Sequence, residues 1–214
     1  EARHRGGAAS ASDAQPSRRP ARYDRMLSEA RAIPRVAEAA ISEVTPVSGH
    51  VLDVQVETEN GPRLILPENA SYVNTITPRW FATYGTRLLA GRDFDERDRQ
   101  GSTPVAIVNE AFRRKFLPNH DPLGLRIRNA QPSKREQAAW MEIVGVAADA
   151  TYRSLRDPVP PTIYLPLAQQ PGAGPAMSLS VRAASGMPVA LSRTVAESIE
   201  RLEPGVAVTV FPLK

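Results

Sequence analysis

YVNTITPRWFATYGTRLLAGRDFDERD, residues 72–98, followed closely by VAIVNEAFRRKFLPNHDPLG, residues 105–124, decides how this chain is read. Physically the first stretch is a strand and then a helical turn. Thr77 is its expected N-cap with Pro78 in the first helical position, Gly85 its stop, and a second strand runs on into an Asp/Arg-rich turn. The second stretch opens on a continuous apolar run, 105–108, which predicts a strand buried on both faces. Asn109 can cap the short helix that follows, where Phe112 and Phe116 stand one turn apart. All of this is architecture without a catalytic group.

Working outward, residues 4–20 are rich in Gly, Ala, Ser and Pro without apolar periodicity, so residues 1–20 are expected to form a flexible segment. A helix is predicted over 21–32 from the stripe Tyr23, Met26, Leu27 and Ala30. Strands are expected over 36–44, 51–57, 63–66 and 70–76, and again over 126–128, 140–147 and 163–165, with a polar insert at 129–138. The tail reads strand 177–182, helix 188–202 and strand 206–211. This βαβ tail needs a partner, and the matching material lies before Trp80. The expectation is therefore an α+β fold with a mixed sheet, in which 21–84 and 166–214 form one discontinuous subdomain around an inserted smaller α/β subdomain, 85–165.

With 214 residues, 42% of them hydrophobic, the chain can build a sizeable core. Its longest apolar runs, such as EIVGVAADA at 142–150, fall short of the ~20 residues a membrane-crossing helix needs, and no signal-peptide pattern opens it, so a soluble piece is expected. The absence of cysteine removes disulfides and thiolate metal sites while leaving the compartment open. Of the net charge of +4, residues 1–25 carry +3, so the body is nearly neutral and a nucleic-acid partner is not expected. The cluster Arg113-Arg114-Lys115 reads as a solvated helix face.

The chemistry is sparse. His4, His50 and His120 are scattered without metal-ligand spacing, and neither a G-x-S-x-G elbow nor a phosphate-cradling G-x-x-x-x-G-K-[ST] occurs. Asp93, Asp95, Glu96 and Asp98 suggest a cation loop, yet Arg92, Arg97 and Arg99 interleave with them, which favours a salt-bridged turn. Asp149 reads as a strand-end cap without a partner acid or base. No catalytic residue, cofactor or metal is assigned. Tyr152, Arg153 and Arg156 are the candidates for a contact surface, since Tyr and Arg favour interfaces.

GRDF (91–94), VAIVNE (105–110), DPLG (121–124), IVGVAADATYRSLRDP (143–158) and PPTIYLPLAQ (160–169) occur in an order and spacing that resembles the MacB-like periplasmic core domain of FtsX-type ABC-transporter permeases. Within that family the likeness is to the second extracytoplasmic domain of the duplicated orphan permeases. The resemblance implies a Porter-like subdomain split by a Sabre-like insertion, in a periplasmic domain held between two transmembrane helices of an inner-membrane protein. It further implies a non-catalytic part, with ATP hydrolysed by a separate cytoplasmic subunit or by a cytoplasmic domain outside this sequence, a possible homodimer in the full-length protein, and an unidentified peptide, lipid or protein as substrate or adaptor. IPRV (33–36) and TPRWF (77–81) depart from the family pattern, with Arg35 and Arg79 where glycine is common. If that glycine serves a positive φ, Arg35 is strained or the backbone there differs.

The rival readings are a soluble enzyme using Asp149 or the acids of 93–98, and a freestanding substrate-binding protein. A transmembrane span on each side of this region in the gene favours the permease reading. From composition alone, limited trypsin digestion is expected to cut at Arg5, Arg18 or Arg19 first, and early cleavage at Arg113 or Arg114 would contradict the helix assigned there.

Overall fold

The computed structural model describes residues 19–46, 52–59, 61, 67–130, 139–150, 158–170, 177–185, 189–204 and 209. In chain order these form α1 (Arg19–Ala32), β1 (Val36–Ser42), β2 (Leu52–Thr58), β3 (Ala70–Ile76), α2 (Trp80–Tyr84), β4 (Leu88–Gly91) and β5 (Val105–Asn109). There follow α3 (Glu110–Phe116), β6 (Arg126–Asn129), β7 (Met141–Ala147), β8 (Thr162–Pro166), a 3-10 turn (Leu167–Gln169), β9 (Ser178–Ala183) and α4 (Val189–Leu202). The expected strand at 63–66 lies outside the described residues, as does that at 206–211 apart from Thr209; of the flexible segment expected over 1–20, residues 1–18 lie outside them too, whereas Arg19 and Pro20 belong to α1.

The fold is mixed α+β with a sheet-dominated core. Strands run in the order β2-β6-β7-β5-β8-β3-β1-β9, with β4 also on β7, and β2 pairs with β3 as well, so six strands close into a ring. Strand β2 makes the closure by changing partners along its length. Leu52–Gln55 pair with β3 and Val56–Thr58 pair with β6. The β3–β8 and β5–β7 ladders are parallel, and the others antiparallel.

Every residue of β5 is buried. Alternation sends Val105 and Ile107 to one side, where they meet Trp80, Phe81, Phe94 and Tyr164. Ala106 and Val108 face the other side, against Phe112, Phe116 and Leu117, with Val56, Ile127, Ile143 and Ile163 completing that cluster. The Phe112 and Phe116 rings lie 4.6 Å apart, as their spacing of one turn predicts.

A third cluster joins α1 and β1 to β9. Tyr23, Leu27 and Ala30 of α1 pack on Ala39 and Ile41 of β1, with Leu179 and Val181 of β9 beside them. Strand β9 lies antiparallel to β1, from Val36↔Ala183 to Ser42↔Ser178. Helix α4 runs antiparallel to α1: Ser198 Oγ donates to Glu29 Oε1 at 2.5 Å, while Arg22 and Arg25, near the start of α1, reach Glu203 just beyond α4 at 3.4 and 2.7 Å.

One expected cap is corrected. Thr77 does not cap α2; its hydroxyl accepts from Ile41 N at 2.8 Å, and its own N–H donates to Ile41 O at 2.9 Å. Buried backbone groups of β1 need partners, and Thr77 supplies them where the ladder to β3 has ended. Arg79 holds the N-cap position instead, without a side-chain cap. Gly85 does end α2, at φ 70°.

Trp80 is fully buried, with ring centroids 4.7 Å from Tyr84, 5.3 Å from Phe81 and 5.4 Å from Tyr164. Trp80→Ala is expected to remove about 3–5 kcal/mol of stability, read from the urea midpoint. A loss below about 1 kcal/mol would contradict the packing role.

Candidate functional site

The recurrent motifs resolve into structural roles. Gly91 sits at φ 72°, and a Cβ there would lie 2.2 Å from Val144 O and 2.8 Å from Gly145 Cα, so β4 approaches β7 this closely only as glycine. Arg92 next to it binds Asp98 through both terminal nitrogens, at 2.6 and 2.8 Å. Asp93 accepts from Phe94 N at 2.8 Å and from Arg79 N at 3.1 Å, and Phe94 enters the aromatic cluster. Each letter of GRDF therefore builds the turn.

Asn109 does more than cap α3. Its Oδ1 accepts from Phe112 N at 2.9 Å and from Thr162 N at 2.8 Å, and its Nδ2 donates to Pro160 O at 3.0 Å, all in a fully buried position. Asp149 is not partnerless as expected. It accepts from Ala111 N and from the Arg114 guanidinium, both at 2.8 Å, because the end of β7 lies beside the start of α3. Asn109 and Asp149 thus tie down the chain on either side of 151–157. Tyr152, Arg153 and Arg156, the expected contact surface, and Asp157 lie outside the described residues, as do His4 and His50. His120 is exposed.

The acidic string forms the salt-bridged turn. Buried Asp98 also accepts from Asp95 N at 2.9 Å, and Asp95 is bound by Arg97 through its side chain at 2.7 Å and its backbone N–H at 2.9 Å. The Arg97 hydrogen bonds hold the Asp95 carboxyl well below its usual range, whereas burial pushes Asp93 up. Among the described residues no group of three His, Cys, Asp or Glu could hold a metal.

What sequence reasoning did not assemble is a corner around β1. Arg35 and Arg79 both adopt positive φ, 73° and 71°, so at Arg35 the backbone keeps the glycine-like conformation and its strain. The left-handed region costs a non-glycine residue about 1–2 kcal/mol. Arg79 has a return for this: its guanidinium grips both oxygens of Glu38, through Nε at 2.6 Å and also through Nη2.

With this geometry in place, comparison with known proteins is decisive. The sequence pattern of the MacB-like periplasmic core domain matches residues 5–202. The chain belongs to that family. No curated protein matches it by sequence. This MacB-like domain is similar in fold to the periplasmic region of MacB from Actinobacillus actinomycetemcomitans, with a TM-score of 0.57 and 15% identity over 82% of this chain and 73% of that one. It is also similar to the extracellular domain of the noncanonic ABC-type transporter YknZ from Gram-positive bacteria, at TM-score 0.55 and 14% identity over 84% of this chain and 81% of that one. A permease domain from Porphyromonas gingivalis gives 0.53 and 18%, covering 81% and 73%. Among the described residues no helix is long and apolar enough to cross a membrane.

Asp98→Ala is expected to cost about 2–3 kcal/mol, because it strips the buried acceptor from Arg92 and from the turn backbone. Asp95→Asn is expected to lower the denaturant midpoint at neutral pH only. A depressed folded pKa adds stability above the unfolded value of 3.8, lost as pH falls below it, so mutant and parent converge in acid. A constant offset from pH 7 to pH 2 would contradict the ion-pair assignment.

Proposed function

We propose that this chain is the periplasmic domain of an inner-membrane ABC-transporter permease, a non-catalytic part that carries transmembrane-helix movement to a substrate or partner outside that membrane. A separate ATP-binding subunit drives the movement, and the full-length protein works as a homodimer. The observation that carries this reading is the meeting of the start of α1 with the end of α4 at Glu203. A domain held by two neighbouring membrane helices, whose axes pack ~8–10 Å apart, needs its two chain connections at one pole.

The engagement of Asp95, Asp98 and Asp149 by arginines supports the non-catalytic role over the enzyme reading. We further propose the division into a Porter-like part, 21–84 with 166–214, and a Sabre-like part, 85–165. In its favour stand the β1–β9 and α1–α4 contacts on one side and the β4–β7 ladder on the other; the β2–β6 and β3–β8 ladders join the two parts. The 151–157 segment, with Tyr152, Arg153 and Arg156, is proposed as one contact with the partner, since Asn109 and Asp149 anchor the chain flanking it.

The absence of native cysteine in this domain makes single spin labels unambiguous within it. In the full-length permease in bilayers, a label at Arg25 is expected to lie closer to the lipid than one at Arg35. A label at Arg99 is expected to change its distance to the same site on the second protomer when ATP binds. Labels at Arg25 and Arg35 equally far from the lipid would overturn the anchoring, and an Arg99 distance indifferent to ATP would overturn the coupling.

A further inference from the structure

Four arginines converge at the end of α1 opposite its start. Arg31, in the last turn of α1, donates to Ala39 O at 2.8 Å and to Pro78 O at 3.4 Å. Arg79, one residue beyond Pro78, binds Glu38, one residue before Ala39. Arg182 on β9 stands in register with Glu38 and donates to Ala82 O at 3.0 Å. Arg35, in the turn between α1 and β1, accepts from Ala184 N through its carbonyl at 2.8 Å, which brings it to the same end of β9. All four are exposed.

These guanidiniums are poorly neutralised. Of the four, Arg79 alone has a carboxylate partner among the described residues; Arg31 and Arg182 rest on neutral carbonyls. Arg31 is partly desolvated and repelled by Arg79, and these outweigh the attraction of Glu38 and Asp24, so its charge is disfavoured. The acids nearby are Glu38, already gripped by Arg79, Asp24, which attracts Arg31 from within α1, and Asp93, whose carboxylate is turned to the backbone N–H groups of Arg79 and Phe94. An additional anion at the corner would face excess positive charge.

Arg35 carries the inference furthest. It holds a left-handed backbone, yet among the described residues its guanidinium makes one contact, 3.4 Å to Ser185 O, which offsets little of that strain. Glycine would suit the backbone better and would remove the charge. Strain kept without an internal return points to a role outside the molecule.

We propose that Arg31, Arg35, Arg79 and Arg182 form a docking surface for an acidic segment of a protein partner. Guanidinium forks in this arrangement suit carboxylates, which they hold through paired hydrogen bonds. A protein is favoured over a lipid surface because the corner lies at the opposite end of α1 from the pole where α1 starts and α4 ends. That choice rests on the membrane anchoring proposed above, whereas the affinity of the corner for carboxylates does not.

The test uses the full chain with a fluorescein-labelled octaglutamate peptide, read by anisotropy at two salt concentrations, beside vesicles containing phosphatidylglycerol. Arg35→Gly and Arg182→Gln are each expected to weaken peptide binding about two- to fivefold, and the loss to shrink in high salt. The charge-matched variants Arg113→Gln and Arg201→Gln, both exposed and the second at the opposite pole beside Glu203, are expected to bind as the parent does. Arg35→Gly is also expected to keep or raise the melting temperature, which separates lost binding from lost folding. Equal weakening by the remote variants would reduce the effect to net charge and overturn the proposal, as would peptide binding indifferent to Arg35→Gly. A lower melting temperature for Arg35→Gly would show that the strain is offset internally and would remove its main support. Vesicle binding that Arg35→Gly abolishes, with no peptide binding, would assign the corner to a membrane and overturn the protein partner. The lipid-depth measurement with spin labels reads the anchoring independently, so the two failures are distinguishable.

Discussion

Strand β5 must be dry on both faces, and most of the molecule is arranged to satisfy that demand. A strand with two apolar faces needs a layer on each side and a hydrogen-bonded neighbour on each edge. Strands β7 and β8 supply the edges, the aromatic turn of α2 supplies one layer, and α3 supplies the other. Asn109 then closes the strand by bonding simultaneously to the first turn of α3 and to the start of β8, so that helix, strand and loop exit share one buried amide. The ring of strands follows from the same demand, because β2 must reach across to β6 to place Val56 over the far side of this core.

The motifs that mark the family owe their form to this packing and not to chemistry. Gly91 and Gly145 let two backbones approach where no Cβ fits. Arg92 and Asp98 fix the turn that delivers Phe94 to the core, and Gln169 satisfies Val105 N at the start of β5 while donating to Ser102 and Thr103. Among the described residues, the characteristic ones named here are committed to holding shape. Arg35 and Arg79, which stand where glycine is common in the family pattern, lie at the corner around β1.

Much of this was readable from local sequence. The doubly buried strand, the Asn109 cap, the Phe112–Phe116 pair, the Gly85 stop and the arginine-neutralised acids are each set by residues within a few positions of one another. Periodicity and capping act over one or two turns of chain, so they survive without knowledge of the fold. The strain at Arg35 was legible, as one of two alternatives, from arginine in a position where glycine is common. Where the expectation failed, a partner distant in sequence intervened. Thr77 was claimed by Ile41, and Asp149 by the start of α3 and Arg114.

By itself, then, the sequence determined an α+β chain with a core strand, its flanking helices, and a set of charged turns lacking the spacing of a catalytic or metal site. Only the tertiary structure decided that β2 divides its edge between β3 and β6, that the two ends of the described chain meet at Glu203, and that arginines from α1, the turn after it, the start of α2 and β9 gather at one corner. The physical reason is range. Side-chain alternation and capping are settled between near neighbours, whereas strand register, ion pairing across 178 residues and the crowding of like charges depend on how the whole chain turns back upon itself.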